Sequence, residues 1–132
     1  MLMMEGTMED RSGKLGSVLR KLNESGIEAS AVVSRDGFIL HSEMQAGEEE
    51  KATFAAMAAA VLGAAETVTS ELKQGVPRRV IIESGDHRLI EVGAGPMALL
   101  VAMVGPKTTL AEALKAIDKA ALEVRAIAKP GR

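Results

Sequence analysis

The sequence predicts a single α+β domain with its elements in the order helix, two strands, helix, three strands, helix, and three observations support this. Apolar residues recur at helical spacing in three stretches, near 12–24, 48–73 and 109–129. In five shorter stretches they alternate or run on in extended fashion, and Gly, Asp-Gly or Pro punctuates most of the joints between stretches. At 132 residues the chain has room for one core and not two. Hydrophobic residues make up 47% of it, yet Trp and Tyr are absent and Phe occurs twice, so Val, Ile, Leu, Met and Ala must build that core.

Residues 1–11 show no period and read as a disordered tail, 12–129 as the domain, and 130–132 as a short C-terminal tail. From Ser12, Leu15, Val18, Leu19 and Leu22 form one face of a short helix, which Gly26 closes. In 27–34 a period of two places Ile27, Ala29, Ala31 and Val33 on one side and Glu28, Ser30, Val32 and Ser34 on the other. A second strand covers 38–43. Between them, Asp36 and Gly37 form the turn, and Asp-Gly favours the tight hairpin whose two central residues need positive φ.

The long helix over 48–73 organises the rest. Glu48, Glu49 and Glu50 suit the positive end of its dipole, Lys73 suits the negative end, Gly75 can close it, and Pro77 prevents its continuation. Phe54, Ala58, Val61, Ala65, Val68 and Leu72 form one stripe at 100° per residue and read as the core face. On the other side Ala52, Ala56, Ala59, Gly63 and Ser70 stand where a surface helix would carry Lys and Glu. A mid-helix Gly costs about 1 kcal/mol relative to Ala, which close approach of a second helix would explain. The helix is therefore expected to be covered from two directions, by its own sheet and by a second copy of the chain.

Three extended runs follow at 78–84, 87–92 and 97–104, joined by connections short enough for a meander. The last is apolar on both faces and belongs mid-sheet, whereas Arg78 and Arg79 suit an edge. Thr109 and Glu112 form a Thr-x-x-Glu capping box, and Leu110, Leu114, Ile117, Ala121 and Val124 carry the final helical stripe.

No constellation for chemistry is apparent. His41 and His87 have no second ligand at a metal-like spacing, and there is no Gly-x-Ser-x-Gly turn. Pro106 stands where a phosphate loop needs Gly before Lys107-Thr108, and Gly93-Ala94-Gly95-Pro96 lacks the third Gly and following helix of a dinucleotide fingerprint. A formal charge of −2 with almost no aromatic residues argues against nucleic acid. The longest uncharged apolar run, 52–65, falls short of the roughly 20 residues a bilayer span needs, and the acidic, Met-rich opening is unlike a signal peptide. With no cysteine and no leader, the cytoplasm is the expected compartment.

The chain resembles the Roadblock family, the Roadblock-type dynein light chains and their stand-alone prokaryotic relatives. The resemblance covers 15–127 and is carried by Ser25-Gly26-Ile27-Glu28-Ala29 leading to Val32-Val33-Ser34-Arg35-Asp36-Gly37, by the Ala-rich helix segment 56–65, and by Leu99-Leu100-Val101. It implies a profilin-like five-stranded antiparallel sheet, α-β-β-α-β-β-β-α, with the long helix on one face and the terminal helices on the other. It further implies a homodimer in which the long helices lie side by side through Ala52, Ala56, Ala59, Ala60, Gly63, Thr67 and Ser70. The strand Arg78, Arg79, Val80, Ile81, Ile82, Glu83 would pair with its twin. The implied function is that of a non-enzymatic scaffold that binds and regulates a small Ras-like GTPase, with no cofactor or metal. The alternative is a structural adaptor that assembles with other Roadblock-type chains or motor-like complexes without GTPase regulation.

Overall fold

The computed structural model describes residues 8–129. Its elements are α1 (Met8–Glu24), β1 (Ile27–Ser34), β2 (Ile39–Glu43), α2 (Glu48–Glu71), β3 (Arg79–Ser84), β4 (His87–Gly93), β5 (Ala98–Val104) and α3 (Leu110–Ala128). The five strands form one antiparallel sheet in the order β2-β1-β5-β4-β3, with α1 and α3 on one face and α2 on the other. The apolar run of β5 occupies the centre, and β3 and β2 are the edges, so the β3-β4-β5 meander and the edge position of Arg79 are as expected.

α1 starts one turn earlier than the apolar period indicates, at Met8, so residues 8–11 of the expected tail are helical. Residues 1–7 and 130–132 lie outside the described residues. Leu15, Leu19 and Leu22 of α1 and Ala113, Ile117, Ala120, Ala121 and Val124 of α3 pack on Val32, Ile90, Val92, Leu100, Ala102 and Val104. α3 begins with the expected capping box: the Glu112 amide donates to Thr109 Oγ1 (3.1 Å), and the Thr109 amide donates to Glu112 Oε1 (3.2 Å). Such a cap contributes about 1 kcal/mol.

Three local expectations are corrected. The register shifts between Ile27 and Ala29, and this bulge turns Ile27 away from Ala31 and Val33 to the α1/α3 face, because the extra residue inverts the alternation. In the β1-β2 hairpin only Gly37 has positive φ (+93°). The Gly37 amide donates to the Ser34 carbonyl (2.9 Å) and the Ser34 amide to that of Phe38 (2.8 Å), the pattern of a three-residue loop ending in a left-handed glycine. α2 is closed by Lys73 instead of Gly75: Lys73 takes φ 57°, its amide donates to the Ser70 carbonyl (3.0 Å), and that of Gln74 donates to Thr69 (2.8 Å), a Schellman closure.

The largest correction is the rotation of α2. Its buried residues are Ala55, Ala58 and Leu62, packed on Ala31, Val33, Leu99 and Val101, whereas Val68 and Leu72 of the expected core stripe are exposed. At 100° per residue this row, which keeps Ala58 of the expected stripe and has Phe54 packed beside it, is centred about 70° from the Phe54–Leu72 stripe, toward the small residues. When nearly every side of a helix is Ala or apolar, periodicity does not select the side that meets the sheet.

Candidate functional site

α2 and the β3 edge are both largely open to solvent. The first turn of α2 carries Glu48, Glu49 and Glu50, and Glu50 Oε1 accepts from the Gly47 amide at 2.8 Å, which fixes the helix start. Only three of its 24 residues are fully buried. Ala52, Ala56, Ala60, Gly63, Thr67 and Ser70 are exposed, and a side chain at Gly63 would meet nothing within 4 Å. Ala59 is half-buried and packs on the sheet cluster. The opposite shoulder exposes Met57 (62%), Val68 (56%) and Leu72 (64%), so small residues flank the sheet-facing row on one side and larger apolar ones on the other. By length and composition α2 could cross a bilayer, but in this fold it lies on the sheet.

β3 hydrogen-bonds only to β4, leaving its outer edge open. Alternation sends Val80 and Ile82 to the α2 face and Arg79, Ile81 and Glu83 to the other, with Ile81 and Ile82 both more than a third exposed. Arg79 is tied down by α3, donating through Nη2 to both Asp118 oxygens (3.1 and 2.9 Å), and Glu83 pairs with Arg88 across the ladder (3.3 Å). Arg78 precedes the strand and is exposed.

The hairpin turn approaches α2 closely: a Cβ on Gly37 would lie 3.2 Å from the Ala56 Cα. Asp36, Gly37, Phe38, His41, Lys51 and Ala56 line an open groove of about 550 Å³ beside β2. Arg35 bridges three elements, donating through Nη1 to Glu66 of α2 (2.9 Å) and through Nη2 to the Gly95 carbonyl (3.0 Å) in the β4-β5 turn.

The sheet beneath α2 holds an unexpected group. Glu91, 1% exposed, stands between Val80 and Val101, and neither of its oxygens has a hydrogen-bond partner. Burial raises its pKa from the ordinary 4.5 to about 7. His87 is raised too, chiefly by its hydrogen bond to Asp86 (2.7 Å), with Glu28 adding to it (3.0 Å). His41 sits between Ser12 (3.2 Å) and Glu43 (3.1 Å). Among the described residues no three His, Cys, Asp or Glu converge as metal ligands would.

The sequence brings out the helix face and the strand edge but not the groove, Glu66, Glu91 or the reach of Arg35. A single Glu within the extended run carries no local sign of burial, because the cover given by α2 comes from a distant element.

The Roadblock/LC7 domain profile matches residues 16–103. This chain belongs to the Roadblock/LC7 family. A relative is the uncharacterized protein MJ1340 of Methanocaldococcus jannaschii, 32% identical over 111 residues, 83% of this chain and 96% of that protein. The fold is shared with the gliding protein MglB of Thermus thermophilus, at 19% identity and TM-score 0.82 over 90% of this chain and 91% of that one. Acanthamoeba castellanii profilin II has the same general architecture, at 16% identity and TM-score 0.63 over 87% and 96% of the two chains. The α+β fold and its profilin-like layering are therefore as the resemblance implied.

Proposed function

We propose that this Roadblock/LC7 chain is a homodimeric, non-enzymatic cytoplasmic scaffold whose paired α2 helices dock and regulate a small Ras-like GTPase. The observation that carries the reading is the half-covered α2. It gives three residues wholly to the sheet and leaves apolar and small side chains exposed, next to an open strand edge with exposed Ile81 and Ile82. Pairing β3 with its twin would satisfy the free ladder groups of both edges and bring the two α2 helices together on one face. Ala52, Ala56, Ala60, Gly63, Thr67 and Ser70 would then meet their counterparts at close range, and the outer surface of the helix pair would receive the GTPase. The family resemblance supplies the partner class.

The test is light scattering of the purified chain, alone and mixed with a GTP-loaded small GTPase from the same source. A species of about 28 kDa, twice 13.8 kDa, that gains GTPase mass supports the proposal. A dimer that binds no GTPase leaves the adaptor role, and a stable monomer removes the physical basis of both.

A further inference from the structure

Under α2, the buried Glu91 of β4 and the partly exposed Arg35 of the β1-β2 turn approach the same face of the sheet, and neither is fully satisfied. Glu91 has two orphan acceptors, and Arg35 has an orphan donor, its buried Nε. Gly93 follows Glu91 by two residues and shares its face, about 7 Å along the strand. A Cβ on Gly93 would lie 3.0 Å from Arg35 Nη2, so the guanidinium rests over Gly93, the next residue of β4 on the Glu91 face. Gly93 thus opens the floor on which Arg35 can move.

We propose that Arg35 is a two-position latch, its guanidinium holding Glu66 of α2 in the state described here and swinging to the Glu91 carboxylate on β4 when α2 loosens. The other elements around Glu91 offer it no charged partner. β5 presents Leu99, Val101 and Met103, and β3 presents Val80 and Ile82, with Arg79 engaged by Asp118 and Glu83 by Arg88 on the opposite face. α2 contributes Glu66, and its Lys51 is near Glu48 (3.8 Å) at the far end of the helix. Arg35 is partly exposed, whereas Glu91 is enclosed, so the second position requires α2 to lift and the Gly95 carbonyl to be released, but not the hairpin to unfold. A guanidinium bound to Glu66 leaves Glu91 neutral under the helix. One bound to Glu91 pairs a buried carboxylate and frees the α2 end of the contact. Because Glu91 changes charge near neutral pH, the choice between the positions is sensitive to small changes in pH or in the load on α2. The seating of the exposed helix is therefore adjustable, independently of what docks on it.

An isotope-labelled full-length chain, followed by NMR from pH 5 to 9, tests the latch. The expected result is a Glu91 carboxyl carbon that titrates near pH 7 and an Arg35 side-chain nitrogen that shifts with the same midpoint. Amides around Glu66 would exchange at least about tenfold faster above that midpoint, after correction for intrinsic rates. Glu91→Gln should abolish both changes. A Glu91 that titrates while Arg35 stays fixed, or one that titrates with the surface carboxylates, overturns the proposal. If Glu91→Gln does not fold, Glu66→Gln is the second arm. Releasing Arg35 from α2 should lower the Glu91 midpoint by about one unit, a tenfold change in proton affinity, and an unchanged midpoint overturns the latch.

Discussion

The two faces of the sheet are built from the same five strands but differ in how they are closed. On the α1/α3 face, Leu19, Ile90, Leu100, Ile117 and Val124 are wholly enclosed, and the helices cover the strands with branched side chains. On the α2 face the cover is Ala55, Ala58 and Leu62, the floor contains a lone carboxyl, and both shoulders of the helix are open. The first face encloses more of the apolar side chains. The second is left available for contact, at the expense of enclosed apolar area. A helix rich in Ala can lie close to a sheet and to a second helix at once, but it contributes little burial of its own.

The sharpest way to break this comparison is to cut equal volumes from the two faces. Ile117→Ala, in the closed core, should cost about 3–4 kcal/mol in urea unfolding, and Leu62→Ala about 2–3, because the loosely held α2 can settle into the space. Equal losses would mean that the α2 face is as tightly packed as the other.

Next in size is the pH response of the buried acid. The folded chain holds the Glu91 proton up to about pH 7, while the unfolded chain releases it near 4.5. Between those values the folded state binds more protons, so stability falls as pH rises through that window and then levels off, by about 2–3 kcal/mol. The difference in urea midpoint between pH 5 and pH 8 measures it, and Glu91→Gln should flatten the curve.

A smaller gain is expected at the end of α2. Lys73 occupies a left-handed position (φ 57°) that suits glycine, so Lys73→Gly should raise stability by about 1 kcal/mol, visible as a higher midpoint at unchanged slope. The smallest effect on the fold separates a contact surface from a core. Space is open at Gly63 and Leu is the better helix former, so Gly63→Leu should leave the fold intact and raise unfolding stability by no more than about 0.8 kcal/mol while reducing the mass in light scattering from dimer to monomer. A Gly63→Leu chain that remains a dimer would place the contact elsewhere on the molecule.

The order and type of all eight elements, the capping box of α3, the acidic start of α2, the hairpin position, the central place of β5 and the edge place of β3 are legible in the residues alone. Each depends on residues within a few positions of one another, where periodicity, capping chemistry and turn residues act without help. Which row of α2 meets the sheet, where Ile27 points after its bulge, how far Arg35 reaches, and that Glu91 is enclosed emerge with the assembled fold. Those outcomes depend on what packs above a strand or beside a helix. A helix apolar on nearly every side, or a carboxyl whose cover comes from a distant element, has no local residue pattern that fixes its surroundings.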